Sequence, residues 1–479
     1  MAESLRGKTL KGMIWSFAEN FSLQGIQFVI GVLLARVLSP SDYGMVGMLA
    51  IFTAVAGTLI NSGFSTALVR KTDRTQTDLS TTFYFNIAVG FVLYFALFFS
   101  GPLIADFYNT PLLSGLIKVT AISLILNSLC IVQQALFTIK MDFKTQAKIS
   151  VIGALVTGAG GITMAYSGYG VWSIVWPGVF GGAVRCILLW IWGKWRPTWE
   201  YSWKSFRELF GFGSKLLASG LIDTIFNNIY PIIIGKKFSA ADLGQYTRAD
   251  GYANLPATTV TGVLGRVTFP LLCQIQDDDV RLQSTYRQLI RLSAYVVFPI
   301  MIGLATLAKP LIIFMITAKW AECVPFLQIL CFSLMWYPIH ALNLNLLQVK
   351  GRSDLFLKLE IIKKILGVSI LILAIPYGII WMCIGRVIAS IICLVINTCY
   401  TGKLIDVGFF KQMGDLLPIL ALSLSMGAIV FGVNLFIEDL LLQIITGFII
   451  GIAYYLSISY LIKSKELLYL LSFIKKDKS

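Results

Sequence analysis

The sequence predicts an all-α polytopic membrane protein of about 14 transmembrane helices, built as two six-helix lobes related by a parallel repeat plus a C-terminal helix pair. Three observations predict this class: an apolar composition, an alternation of basic loops, and a motif that recurs after 200 residues. Of the 479 residues, 57% are hydrophobic and 13% are charged, whereas soluble domains have roughly 25% charged residues. Spanning helices of about 20 residues leave no room for a sizeable soluble domain.

The N-terminal segment predicts a retained membrane helix. It carries Arg6, Lys8 and Lys11 before an apolar stretch of about 26 residues, which is too long for the apolar region of a cleaved signal peptide. The eight cysteines form no C-x-x-C pair and have no ligand spacing with the single histidine, so neither disulfides nor a metal site is expected. Because the net charge of +15 is spread between apolar segments, no nucleic-acid partner is expected.

Apolar runs separated by polar breaks define the individual spans. They fall near residues 12–37, 43–67, 82–104, 112–137, 146–167, 170–193, 206–235, 243–272, 286–308, 321–347, 355–375, 377–401, 413–436 and 440–462.

The basic residues test this count, because Lys and Arg are retained in cytoplasmic loops. If the N-terminus is cytoplasmic, 26 of the 39 Lys and Arg residues fall in the cytoplasmic segments and five fall in the opposite loops. One missing helix would reverse this alternation from that point onward. The sequence therefore predicts an even number of spans with both termini in the cytoplasm.

A short motif repeats at the end of the first and seventh spans. Ala35 to Gly44 and Gly235 to Gly244 share a basic residue, Ser, Asp and Gly in register, 200 residues apart. Six helices per unit is an even number, so the two copies cross the membrane in the same direction. The predicted parts are an N-terminal lobe (1–200), a C-terminal lobe (201–402), and an extra helix pair with a basic cytoplasmic tail (403–479).

The same motif carries a family resemblance. The segment from Leu33 to Gly44, followed by a glycine-interrupted helix at Asn61 to Phe64, resembles the polysaccharide-transport branch of the multidrug/oligosaccharidyl-lipid/polysaccharide exporter superfamily, and most of all its Wzx-type flippases. The resemblance extends over the whole chain. It implies two lobes around a central cavity and the transfer of a lipid-pyrophosphate-linked oligosaccharide between leaflets by alternating access.

Basic residues inside the spans are candidate ligands for such a head group, since charges within a bilayer are costly and by default functional. Arg248 and Arg266 lie 18 residues apart, about five helical turns, and so share one face of a straight helix. Arginine suits a pyrophosphate because it donates bidentate hydrogen bonds. Lys215 is a third candidate. The alternative is that Arg248 lies at the outer interface beside Asp250 or Asp242 and that Arg266 extends toward the cytoplasm.

Polar residues of the first and seventh spans complete the predicted site. Asn20, Gln24 and Gln27 share a face of the first span with Ser16, where they either line a wet cavity or join helices. Asp223, Asn227 and Tyr230 form a stripe that is suited to a coupling Na⁺ or H⁺. Glu360 is their expected partner, although Lys363 and Lys364 make a local ion pair equally consistent.

Three further polar residues lie deep in spans. His340 either relays protons or forms a helix-packing contact, and the second interpretation is favoured. Arg185 and Arg386 are expected to pair within the protein or to extend toward the cytoplasm.

The predicted function is that of a flippase in the bacterial cytoplasmic (inner) membrane for an O-antigen, capsule or exopolysaccharide repeat unit. Its partners are the lipid-linked oligosaccharide, membrane lipids, and the polymerase and chain-length proteins of the same pathway. Two alternatives remain: a multidrug cation antiporter of the same superfamily, and an integral-membrane glycan polymerase. No nucleotide, hydrolase or metalloprotease motif occurs, so neither an enzyme nor a cofactor other than the coupling ion is predicted.

Overall fold

The computed structural model of the protein describes residues 5–61 and 63–469, so the predicted basic tail from residue 470 onward lies outside the described residues. The described part of the chain folds into 19 α-helices and two short 3₁₀ turns. The helices are α1 (Leu5–Val37), α2 (Pro40–Asn61), α3 (Phe64–Arg70), α4 (Gln76–Phe107), α5 (Leu112–Thr120), α6 (Ile122–Ile139), α7 (Phe143–Tyr166), α8 (Trp172–Trp192), α9 (Trp203–Asn227), α10 (Ile229–Lys237), α11 (Ala240–Gln274), α12 (Asp279–Thr306), α13 (Ala308–Ile316), α14 (Cys323–Leu334), α15 (Tyr337–Val349), α16 (Ser353–Ala374), α17 (Ile379–Ile405), α18 (Phe409–Asn434) and α19 (Leu440–Leu461).

Each predicted span coincides with one helix or with two consecutive helices, and α13 is a connection. Spans two, four, seven and ten are each interrupted, as α2 with α3, α5 with α6, α9 with α10, and α14 with α15. In the described part of the chain, twelve spans are long and apolar enough to cross a membrane. The other two predicted spans, α11 and α16, have the length but carry more charged residues. The predicted all-α polytopic class is confirmed.

Polar residues of the loops determine where several helices begin. Thr75 and Asp78 form a reciprocal capping box at the start of α4. Asp142, Ser202 and Asp278 accept a hydrogen bond from a backbone N–H three residues later, at the starts of α7, α9 and α12. Each such cap stabilises a helix by about 1 kcal/mol, so the polar breaks in the sequence are also helix start signals.

The repeated motif forms the same structure at both of its positions. Ser39 Oγ donates to Asp42 Oδ2 at 2.7 Å, and Ser239 Oγ donates to Asp242 Oδ2 at 2.7 Å. The backbone N–H groups of the two serines donate to the same carboxylate oxygens at 2.9 and 3.0 Å. Two helices, α2 and α11, therefore begin with identical capping bonds 200 residues apart.

Two compact units divide between Gly244 and Gln245. The first contains α1 to α10 and the first residues of α11, so it includes α9, the predicted seventh span. Within it α1 packs on α7, α7 on α8, α4 on α5 and α6, and α9 on α2 and α3. The predicted lobe boundary near residue 200 stays a prediction, because compact units follow packing and not the order of the repeats.

A cytoplasmic corner of the first unit ties α9 to the loop before α4. The Lys71 ammonium lies 3.1 Å from Asp78 and 3.0 Å from Glu208. Burial lowers the pKa of Lys71, but the hydrogen bonds to Glu208 and Asp78 outweigh this effect and raise its pKa above the ordinary value. Lys71 therefore stays charged and paired at neutral pH.

The second unit incorporates the extra helix pair through buried polar contacts. Gln412 of α18 donates to Asn343 of α15 at 3.1 Å and to Thr401 of α17 at 3.0 Å. All three side chains are buried. A fully satisfied network of this kind specifies one packing arrangement, so α18 is an integral part of the second unit.

Replacing Asp415 by alanine is expected to lower the free energy of unfolding by about 2–3 kcal/mol. Arg287 donates to both carboxylate oxygens of Asp415, at 2.7 and 2.8 Å, and Arg291 lies 3.4 Å from it. The substitution leaves two guanidinium groups without this partner, although the 38% exposure of Arg287 reduces the penalty. Thermal unfolding of the purified protein measures the effect. Asp354→Asn, at a fully exposed pair with Arg352, is the matched control, and an equal loss in both variants would contradict this prediction.

Candidate functional site

The predicted amide stripe of α1 is accessible. Asn20, Gln24 and Gln27 are all exposed, and the side chain of Ser16 lies outside the described residues. Glu19, a quarter turn away, is instead engaged by α7, where Ser150 Oγ donates to its carboxylate at 2.8 Å. Amide groups facing lipid would lose their hydrogen bonds at a cost of several kcal/mol each. Three exposed amides on one face of a spanning helix are therefore suited to a water-filled cavity.

The two arginines of α11 have different environments. The Arg248 guanidinium lies 5.6 Å from the ring centre of the buried Trp320 and 5.8 Å from that of Tyr252. Arg266 is exposed. Because α11 is continuous, the 18 residues between them correspond to about 27 Å along its axis. One pyrophosphate therefore cannot contact both side chains, and Arg266 is the more accessible candidate.

Lys215, Asp223 and Asn227 are exposed residues of α9. Tyr230 is separated from them because α9 ends at Asn227 and α10 begins at Ile229. The side-chain amide of Asn228 donates to the carbonyl of Thr224 at 2.8 Å, which satisfies a backbone acceptor near this break. The predicted stripe is therefore shortened to Asp223 and Asn227, which offer two oxygen ligands from one helix. That number is few for a hard cation, which takes about six.

Glu360 and His340 are both engaged within the second unit. Lys363 donates to the Glu360 carboxylate at 2.5 Å, which is the local ion pair that their spacing also predicts. His340 Nε2 lies 3.1 Å from Ser390 Oγ, and Asn397 Nδ2 donates to His340 Nδ1 at 3.2 Å. Both ring nitrogens of a neutral imidazole are thus satisfied, as in a helix-packing histidine.

An ion pair between α11 and α17 was not specified by the sequence. Arg386 donates to the Asp250 carboxylate at 2.5 Å and to the Tyr246 hydroxyl at 3.1 Å. Both charged residues occur in apolar segments, and that is the signal in the sequence. Their pairing across 136 residues requires the fold. Asp250 is therefore a partner of Arg386.

No group of three or more His, Cys, Asp or Glu residues could hold a metal ion within residues 5–61 and 63–469. The accessible polar groups of the spans are instead amides, hydroxyls and basic side chains. Such a donor-rich set is suited to hydroxyl-rich and anionic ligands.

Comparison with known proteins gives relatives over most of the chain. The protein is similar to the lipopolysaccharide biosynthesis protein WzxC of Escherichia coli (strain K12), with 25% identity over 401 residues covering 82% of this chain and 80% of that protein. It is also similar to the teichuronic acid biosynthesis protein TuaB of Bacillus subtilis (strain 168), with 24% identity over 443 residues and 92% of each chain covered.

Solved structures share its fold. The lipid II flippase MurJ in an inward closed conformation matches with a TM-score of 0.76 and 16% identity, covering 94% of this chain and 98% of that one. An inward-facing multidrug resistance MATE family transporter of the MOP superfamily matches with a TM-score of 0.61 and 14% identity, covering 79% of this chain and 94% of that one. At these identities the likeness establishes the fold alone.

A family described as polysaccharide biosynthesis protein matches residues 33–325, which is more than half of the chain. The family resemblance that the segment from Leu33 to Gly44 indicates is thereby confirmed. The chain belongs to the polysaccharide biosynthesis protein family.

Proposed function

We propose that the protein is a flippase that moves a lipid-pyrophosphate-linked oligosaccharide from the cytoplasmic to the outer leaflet of the bacterial cytoplasmic membrane by alternating access. Both termini are cytoplasmic, and H⁺ or Na⁺ is the coupling ion. The cargo is a repeat unit of an O-antigen, capsule or exopolysaccharide. Polymerase and chain-length proteins of the same pathway act on it next.

The observation that supports this function is a pair of exposed basic side chains in spanning helices. Within the described part of the chain, no hydrogen bond or ion pair is made by the Arg266 guanidinium or by the Lys215 ammonium. An uncompensated charge in a span costs at least about 2.5–3.5 kcal/mol. A bound pyrophosphate would offset that cost through charge-assisted hydrogen bonds.

Two other functions receive less support. A multidrug cation antiporter would need an acidic cavity, whereas the exposed charges of the spans are mainly basic. A glycan polymerase would need a large outer loop for catalytic groups. The longest connection on the outer side is the 16 residues between α12 and α14, which contain the short helix α13.

The test is transport in reconstituted liposomes. Arg266→Ala is expected to reduce the transfer of a fluorescent lipid-pyrophosphate oligosaccharide by at least about ten-fold, because it removes a hydrogen-bonded charge from the head group. Arg281→Ala, which removes an exposed arginine at the cytoplasmic start of α12, is the control and should transport normally. Transport of a cationic dye, with no transfer of the lipid-linked sugar by the unmodified protein, would overturn the proposed function.

A further inference from the structure

A polar cavity of about 340 Å³ lies within the first unit, between α2, α6 and α8. The one charged residue in its lining is Arg185 of α8. This residue lies 13 positions after the start of α8 and seven before its end, or about 20 Å and 10 Å along the helix axis. The cavity therefore places a guanidinium inside the membrane-spanning part of the fold.

The hydrogen-bond donors of this cavity exceed its acceptors. Thr53 and Ser123 donate their hydroxyl protons to carbonyls of their own helices, Thr53 to Ala50 at 3.0 Å and Ser123 to Thr120 at 2.6 Å. The side chains of Asn127, Gln134 and Arg185 make no hydrogen bond within residues 5–61 and 63–469. Free donors thus come from one guanidinium and two amides, and no carboxylate lines the cavity.

This environment differs from that of the other deep arginine. Arg386 is paired with Asp250, whereas Arg185 has no acidic partner in the described part of the chain. An arginine that only packs between helices would be expected to acquire such a partner, since an uncompensated charge in a span is costly. A missing anion explains both the charge and the unused amide donors.

We infer that this cavity is an anion-binding site that receives a phosphate group of the lipid-pyrophosphate head group. Arg185 supplies bidentate hydrogen bonds, and Asn127 and Gln134 donate from the facing helix α6. The volume is within the range of small-ligand sites. The identity of the ligand rests on the proposed function, but the preference for an anion rests on the cavity itself.

The test measures binding of geranylgeranyl pyrophosphate to the full-length protein in phosphatidylcholine nanodiscs by calorimetry. Arg185→Ala is expected to weaken binding about ten- to a hundred-fold. Gly57→Leu should have the same effect while removing no donor. Gly57 lines the cavity, and a Cβ at this position would meet nothing within 4 Å, so the larger side chain fills the cavity without disturbing its neighbours.

Matched controls separate the site from a general loss of charge or of packing. Lys118→Gln removes a basic side chain of α5 that lies over the ring of Phe98. Gly178→Leu adds the same side chain at another open glycine of α8 that does not line the cavity. Both controls should bind the probe within twofold of the unmodified protein.

The outcomes distinguish this inference from the proposed function. Unchanged binding in both Arg185→Ala and Gly57→Leu would overturn the site and leave the function standing. Displacement of the probe by phosphatidylglycerol at equal concentration would identify a bulk lipid head group as the ligand and overturn the assignment to the substrate. If the unmodified protein neither binds the probe nor transfers the lipid-linked sugar in liposomes, the proposed function fails.

Discussion

Replacing either Gly44 or Gly244 by alanine is expected to reduce transport to the level of liposomes without protein. A Cβ at Gly44 would lie 1.6 Å from the carbonyl oxygen of Ala240, and a Cβ at Gly244 would lie 1.9 Å from that of Pro40. The neighbouring atoms are backbone and cannot rotate away, so the starts of α2 and α11 must separate. Overpacking of this severity typically costs about 1–3 kcal/mol, and the melting temperature should fall by several degrees.

The two contacts are related by the same shift of 200 residues as the motif itself. They lie side by side, so either alanine disrupts both, and the double variant should lose little more stability than a single one. Gly251→Ala on α11 is the matched control, because a Cβ there meets nothing within 4 Å. Alanine in an open helical position commonly stabilises a protein slightly. Normal transport and melting of Gly44→Ala would show that this contact is not required.

The fold was predictable where local chemistry decides it. Apolar length predicts the spans, and the spacing of Ser39 and Asp42 predicts a capped helix start that recurs at Ser239 and Asp242. The break at Asn228 was not predictable, because an asparagine in an apolar run has no unique backbone conformation. It depends on the side-chain bond that this residue makes to the carbonyl of Thr224.

The candidate sites illustrate a second limit. Arg185 and Arg386 look alike in the sequence, each as a single arginine deep in an apolar segment. Arg386 pairs with Asp250, 136 residues away, whereas Arg185 faces a cavity. The sequence identifies residues whose charge needs a partner. Only the packing of helices decides whether that partner is protein or ligand.

Replacing Asp223 by asparagine is expected to remove the dependence of transport on an imposed ion gradient. Asp223 is an exposed carboxylate of α9, 13 residues or about 20 Å along the chain from Lys236 at the end of α10. Asparagine keeps the shape but can neither carry charge nor exchange a proton, so substrate binding should persist while gradient-driven transfer falls to background. The measurement is transfer in liposomes with imposed pH or Na⁺ gradients.

Glu208→Gln is the matched control for Asp223→Asn, because it neutralises a carboxylate of the same helix at its cytoplasmic end. Glu208 is 56% exposed, and its partner Lys71 retains Asp78, so transport should be unchanged. Asp223→Glu should retain coupling, since it keeps an ionisable oxygen pair. With only Asp223 and Asn227 as ligands on α9, the geometry favours a proton over Na⁺. Gradient-driven transfer by Asp223→Asn at the unmodified rate would exclude this carboxylate as the coupling site.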